Sequence, residues 1–279
     1  LKKLMPAAVG TVRIVTGVTT PLFRYHPGVV AQAAATLDRL SGGRFDLGVG
    51  TGENINEGPL GYAFPGYAER AGRMREALQI MRRLLDGEKL TFDGQWYRTD
   101  RAKLYSPPLH RLELWMASGG PKSSALAAEL ADGIITSVKV PADTFENVIE
   151  PARVAAAAVG RPAPKVLATR WSILANSDEE AWQALTSWRG LRAPGRLEAV
   201  DPQDLRERAD TMPREEVLGR YRMTDSNLSR HQALIMPAPT EEGRLPTGSI
   251  LLVAAIIALS AYGGWYYVSS QGRDPVEVI

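Results

Sequence analysis

The sequence contains no cysteine, which excludes disulfides, thiolate metal sites and cysteine catalysis in one step. Histidine is nearly as scarce. His26, His110 and His231 lie far apart with no ligand spacing, so no metal site is expected. An excess of one charge is missing as well: 33 Lys plus Arg stand against 31 Asp plus Glu, for a net charge of +2 with no run of like sign. A nucleic-acid binder concentrates a basic excess, so no nucleic-acid partner is expected. Hydrophobic residues make up 44% and charged residues 23% of 279 positions. That composition belongs to one large domain or two small ones and rules out wholesale disorder or collagen-like repeats. The chain opens on Leu1 rather than Met, which reads as a fragment.

Long hydrophobic runs are absent with one exception. No charge occurs between Arg244 and Arg273, and the centre of that stretch, 250–268, reads ILLVAAIIALSAYGGWYYV. As a helix it spans roughly 28 Å, close to the hydrocarbon thickness of a bilayer. Trp265, Tyr266 and Tyr267 sit where amphipathic rings favour the headgroup level. The competing reading is a buried core helix, against which two glycines and the lack of a polar face weigh. The expectation is a single transmembrane helix at 250–268, reached through a linker at 222–249 and followed by a short tail at 269–279. Arg230 and Arg244 ahead of it favour a cytoplasmic N-terminal part.

What is present before that point alternates strand and helix. VRIVTGV at 12–18 reads as a buried strand, and PGVVAQAAATLDRL from Pro27 as a helix stopped by Ser41-Gly42-Gly43. FDLGV follows as a strand, and apolar residues at the 3.6-residue period predict a helix over 67–86. A hairpin is expected with Asp93-Gly94 as its turn between LTF and QWY. LELWMA at 112–117 and GIITS at 133–137 read as further strands, followed by helices SSALAAELA and 142–159. A fifth strand spans 166–175, with Asn176-Ser177-Asp178 capping the next helix. Five such units argue a parallel sheet with helices outside, either doubly wound or part of a (β/α)8 barrel; periodicity alone does not decide.

In either fold, ligands gather at the C-terminal ends of the strands. Four loops there have unusual composition. The first runs from Gly17 to Pro21. The second, Gly48 to Asn56, carries three alternate glycines; its GxGxG spacing, with no helix start expected, fails as a dinucleotide fingerprint. Bare backbone there lets a flat ring approach while Glu53 and Asn56 reach it; the bland reading is a tight turn with a solvated Glu. The third loop, Gly119-Gly120-Pro121, presents free N–H groups at a helix start beside Lys122, Ser123 and Ser124, which suits a phosphate but also an ordinary N-cap. In the fourth, Lys139 at a strand end suits an anion, or is simply a solvated charge.

TTPLFRYHPGVVAQAAATLDRLSGGRFDLGVGTGENINE and ASGGPKSSALAAELADGIITSVK together resemble the luciferase-like oxidoreductases. Within them they are most similar to the deazaflavin-dependent glucose-6-phosphate dehydrogenase branch. The resemblance covers Val12 to about Tyr221 and implies a TIM-type barrel that binds coenzyme F-420, a flavin analogue whose C5 accepts hydride. It implies that Val18, Thr19 and Thr20 line the deazaflavin ring. Thr51, Glu53 and Asn56 would surround ring and substrate, with Glu53 a candidate catalytic general acid near the hydride-accepting face while a base takes the hydroxyl proton. Gly119 and Gly120 would hold the coenzyme phosphate, Thr136 and Ser137 would contact the coenzyme, and Lys139 would pair with a sugar phosphate. The implied partner is a small-molecule alcohol or sugar phosphate, with a homodimer among the assemblies it allows. An FMN-dependent monooxygenase of the same superfamily is the first alternative.

The departures carry their own expectations. In the family, two strands and a catalytic histidine precede the segment that begins here, and none of the three histidines matches that position. Positions 1–221 are therefore expected to form an incomplete barrel domain of about five of eight strands. The part beyond Tyr221 looks like the juxtamembrane region of an unrelated bitopic protein, and a composite reading frame would account for both ends. On these grounds little dehydrogenase activity is expected, and a non-catalytic, membrane-anchored interaction protein is the second alternative.

Overall fold

A computed structural model describes residues 12–221 except 140, 171–174, 176, 187 and 220. The strands are β1 (Ile14–Val15), β2 (Phe45–Val49), β3 (Leu90–Asp93), β4 (Arg98–Ala102), β5 (Leu114–Ala117), β6 (Gly133–Ser137) and β7 (Lys165–Thr169). The α-helices are α1 (Pro27–Ser41), α2 (Asn54–Glu57), α3 (Tyr67–Leu85), α4 (Pro121–Leu130), α5 (Pro141–Thr144), α6 (Glu150–Ala158), α7 (Asp178–Ala184), α8 (Pro202–Asp210) and α9 (Arg214–Gly219). Five strands form one parallel sheet in the order β1-β2-β5-β6-β7, and β3 pairs with β4 as a separate antiparallel hairpin.

That order settles what periodicity left open. Apart from the inserted hairpin, each strand lies beside its predecessor in the chain and the order never reverses. A doubly wound sheet needs a reversal; a sheet that keeps adding strands in one sense, with right-handed crossovers, curls and keeps its helices outside. Consecutive helices α1, α3, α4 and α6 accordingly pack side by side. Alternation along each strand then sorts the side chains. Phe45, Leu47, Val49, Leu114, Met116 and Ile134 pack with Ala34, Met74, Leu78 and Met81 in the main core. Each fully buried Leu or Met there contributes about 1.5–3 kcal/mol through removal of apolar surface from water.

Local chemistry explains the element ends. Pro27 opens α1, the Nδ1 of His26 accepts from the Gly28 N–H, and Gly42 closes it at φ +72. His26 is thus a capping residue. His110 stands on another part of the fold, 3.1 Å from Asp38, while His231 lies outside the described residues. Ser177 caps α7 through Glu180 N–H, as the sequence suggests.

Four expectations need correction. The strand expected at 12–18 is ladder-paired only at Ile14–Val15, because the Thr16 hydroxyl takes over both polar groups of Gly48; pairing resumes at Thr19, opposite Val49. The hairpin's second strand is Arg98–Ala102, not QWY: the Glu76 carboxylate accepts the N–H groups of Gln95, Trp96 and Tyr97 and holds those residues as the turn. The helix expected at 142–159 has a π turn over Phe145–Ile149, where the Glu150 N–H reaches back to the Phe145 carbonyl just before Pro151, which has no N–H to give. A helix does start in the glycine loop after β2, namely α2. Among the described residues no helix is long and apolar enough to cross a membrane. The segments 222–249, 250–268 and 269–279 lie outside the described residues.

Candidate functional site

The strand tips meet, and glycine is what lets them. A Cβ on Gly48 would stand 1.9 Å from the Thr16 carbonyl oxygen and 2.8 Å from Ile135 Cδ1. One on Gly50 would stand 2.6 Å from Val18 Cγ2 and 3.6 Å from the Ala117 Cβ. The ends of β1, β2, β5 and β6 therefore share one concave face, with the Val18 and Ile135 side chains lying against the glycine backbone. Hydrogen bonds continue the pairing beyond the strands: Thr19 N–H to Gly48 O at 2.8 Å, Gly50 N–H to Thr19 O at 2.9 Å and Ser118 N–H to Ile135 O at 2.9 Å. Gly52, at φ +86, faces the Thr20 methyl, Glu57 and Phe64. Val18, Thr19, Thr20, Thr51 and the start of α2 with Glu53 and Asn56 are thereby brought to one rim, where Asn56 is exposed.

A part-buried ion pair just beyond the first two loops ties them together. Glu57 is fully buried, and Arg24, from the FRYHP stretch, reaches it with Nε at 3.1 Å. The FRYHP and GTGENINE ends of the first stretch that carries the resemblance are thus physically joined.

The third loop turns straight into α4 after Ala117. Ser123 Oγ accepts the N–H groups of Gly119 and Gly120 at 3.3 Å each, and it donates to the Gly120 carbonyl at 2.9 Å. Beyond both glycines there is open space, since a Cβ on either would meet nothing within 4 Å. The next donors, the N–H groups of Lys122 and Ser123, are among those that a helix start leaves unpaired. Sequence reasoning missed what stands behind them. Tyr67 begins α3, and burial pushes its hydroxyl up from the ordinary tyrosine value, against the influence of Ser123 beside it and of Arg70. Arg70, one turn on and on the same face of α3, is only 8% exposed and lies 4.1 Å over the Phe64 ring. Its Nε is buried without a hydrogen-bond partner among the described residues. Burial pulls the guanidinium down from its usual range, opposed by Glu198 and Tyr67. A buried cation of this kind is what an anion at the adjacent helix start would satisfy.

On β6, alternation separates two predicted neighbours. Thr136 is 3% exposed and shares parity with Ile134 of the core, so its side chain turns toward the helices; Ser137 shares parity with Ile135 and is exposed on the concave face. Lys139 follows on the exposed side, its carbonyl held by Arg170 Nη1 at 2.8 Å from the end of β7. Glu53 is not a free carboxylate: Arg196 Nη2 donates to its Oε1. Arg196 escaped notice because it is 143 residues away and no local pattern marks it. Among the described residues no group of three or more His, Asp or Glu is placed to hold a metal ion.

Comparison with known proteins gives concordant findings. The sequence model of the luciferase-like monooxygenase family matches residues 7–233. An F-420-dependent glucose-6-phosphate dehydrogenase of Nakamurella multipartita is 38% identical over 216 residues, which is 75% of this chain and 63% of that protein. An F-420-dependent hydroxymycolic acid dehydrogenase of Mycobacterium tuberculosis is 36% identical over 74% of this chain and 56% of its own length. The chain thus spans less than two thirds of both relatives. Among solved structures, an F-420-dependent secondary alcohol dehydrogenase in complex with an F-420–acetone adduct superposes with a TM-score of 0.73 at 28% identity, covering 80% of this chain and 71% of the other. The coenzyme F-420-dependent tetrahydromethanopterin reductase of Methanopyrus kandleri shares the fold at a TM-score of 0.62 and 17% identity, over 86% of this chain and 80% of that one.

Proposed function

The chain belongs to the luciferase-like monooxygenase family, and from that premise we propose that it binds coenzyme F-420 and serves hydride transfer from the CH–OH carbon of a small alcohol, a sugar phosphate among the candidates. The observation that carries this reading is the convergence of the strand tips: Gly48 and Gly50 let the Thr16 carbonyl, Val18 and Ile135 close up against the end of β2. Tips packed that closely bring the loops after β1, β2, β5 and β6 to one edge of the sheet, where a single ligand reaches all of them. The curated relatives named above and the secondary alcohol dehydrogenase are all described as F-420-dependent.

The residues present fit that coenzyme. Val18, Thr19 and Thr20 would line the ring from the β1 side, with Thr51 and Asn56 on the rim. The start of α4, through Gly119, Gly120 and the N–H groups beyond them, would hold the phosphate, with Arg70 supplying the counter-charge and Tyr67 a hydroxyl. When bound, the coenzyme supplies a ring carbon that takes hydride. Glu53 would hold or release the proton that accompanies oxidation of the alcohol, and Lys139 would meet an anionic group on the substrate.

The reading is tested by titrating the purified chain with F-420, FMN and riboflavin and following deazaflavin or flavin fluorescence. Saturable binding of F-420, weakened about tenfold or more in Arg70→Met, supports it. Binding of FMN in preference to F-420 would replace it with the flavin-dependent alternative.

A further inference from the structure

We propose that Arg196 is the positioning residue for Glu53, holding its carboxylate at the rim of the strand tips from the segment between α7 and α8. The proposal rests on the reading in which Glu53 handles the proton.

Glu53 occupies the N-cap position of α2, yet its side chain makes no capping hydrogen bond to that helix. The backbone before it is poorly constrained by sequence, since Gly50 and Gly52 precede it and Gly52 sits at φ +86. A carboxylate on such a loop has no internal reason to keep one direction. The direction comes from outside: Arg196 Nη2 donates to Glu53 Oε1 at 2.5 Å, and the two side chains are 38% and 29% exposed.

The segment that carries Arg196 is held without this pair. Gly195 turns the chain at φ +73, and Arg208 Nη1 donates to the carbonyls of Pro194 and Gly195. Asn54 N–H donates to Leu197 O at 2.9 Å, and Asn54 Nδ2 donates to Glu198 O at 2.9 Å. Ile55 packs against the small apolar cluster formed by Ala193, Ala199, Leu205 and Ala209. These contacts dock the segment onto α2 through backbone and apolar groups. A half-exposed ion pair adds little stability to a junction already fixed in this way. Its consequence falls on Glu53, whose carboxylate is given one bearing on a rim that would otherwise let it swing.

The experiment uses the full chain labelled with carbon-13 at the glutamate carboxyl, the Glu53 resonance being assigned from its loss in Glu53→Gln. Arg196→Met is expected to move that resonance at neutral pH and Arg196→Lys to restore most of the shift. Hydrogen exchange at the Asn54 amide should stay within about twofold of the unmodified chain in both variants. Where turnover is measured with F-420 and an alcohol, Arg196→Met should lower kcat about tenfold while the coenzyme Kd stays within about twofold, and Arg196→Lys should recover part of the rate. An unmoved Glu53 resonance in Arg196→Met overturns the proposal. So does Asn54 exchange that speeds up equally in both variants, because that describes a clamp on the segment. Unchanged turnover in Glu53→Gln would instead remove the functional reading of Glu53 and leave the resonance test of the contact standing.

Discussion

Gly48 and Gly50 are neighbours on one strand end, yet they fail differently when given a side chain. The clash at Gly48 is with the Thr16 carbonyl, a backbone atom already fixed by the Thr16–Gly48 hydrogen bonds; the clash at Gly50 is with a methyl of Val18, which is itself exposed and free to turn. Gly48→Ala is therefore expected to unfold the sheet edge at a cost of several kcal/mol, on the order of ~3, by overpacking. Gly50→Ala should cost about 1 kcal/mol or less but raise the F-420 Kd about tenfold, since the methyl displaces Val18 from the loop that would line the ring. Urea melts and coenzyme titration of the two variants separate these effects; equal stability losses with unchanged coenzyme affinity would dissociate the packing at these glycines from binding. Lys139 offers a second contrast. Its side chain is exposed at the tip of β6 and its carbonyl is tied to Arg170, so truncation leaves the backbone in place. Lys139→Ala is expected to raise KM for a phosphorylated alcohol about tenfold and to leave a neutral alcohol nearly unaffected. The same rise for both substrates would show that Lys139 does not meet the anion.

At the scale of elements, the β3–β4 hairpin is held to the barrel wall by a carboxylate, a phenol and the His26 imidazole, whose Nε2 lies 3.2 Å from the Arg98 carbonyl oxygen. Glu76 of α3 accepts three successive N–H groups from the turn, and the Tyr97 hydroxyl donates to Leu22 O at 2.8 Å. Burial pushes Tyr97 up to about 12, with Arg73 opposing and Glu76 assisting. The protonated phenol is favoured in the fold, so its contribution is whole below the unfolded value near 10 and declines as pH rises from there toward about 12. Stability should fall by about 1.4 kcal/mol per pH unit across that window through this group, and Tyr97→Phe should flatten the fall while losing about 1 kcal/mol at neutral pH. Parallel alkaline slopes for the two proteins would show that Tyr97 does not titrate as the fold requires. This hairpin also shows what a sequence can reveal. Asp93-Gly94 marks a reversal, but which residues form the returning strand depended on Glu76, distant in the chain and invisible to turn chemistry. β2 and β6 were legible to the residue because short β-prone segments bounded by glycine, each followed by a glycine- or helix-starting loop, repeat the strand–helix alternation of a parallel sheet. The split of Thr136 from Ser137 follows from strand parity alone, whereas the partnership of Glu53 with Arg196 follows from no local rule.

For the whole molecule, the consequence of building one site from distant pieces is cooperative. The rim draws on the end of β1 near Thr16, the α2 loop, the start of α4, the tip of β6 and the segment around Arg196, and each is fixed by bonds to another: Arg24 to Glu57, Thr19 to Gly48, Ser118 to Ile135, Arg170 to Lys139 and Asn54 to Leu197. Among the described residues, β1 and β7 are the outer strands of the sheet, so those cross-loop bonds carry much of what holds the tips in register. A ligand that spans the rim adds links between these pieces and binds only when all are in place, so its affinity becomes folding free energy. At 100-fold excess over Kd, F-420 should stabilise the chain by about 2.7 kcal/mol, which for a domain of this size raises Tm by roughly 5–10 °C. Free phosphate at the same excess over its own Kd touches only the start of α4; it should protect the amides of Lys122 and Ser123 from exchange without protecting the α2 loop. The discriminating measurement is hydrogen exchange with and without F-420, read at Thr19, Gly50, Asn54, Ser118 and Val138 together. Protection that appears at all five in concert is the signature of one shared cavity, and protection limited to the α4 start would mean that the strand tips, though adjacent, do not act on one ligand.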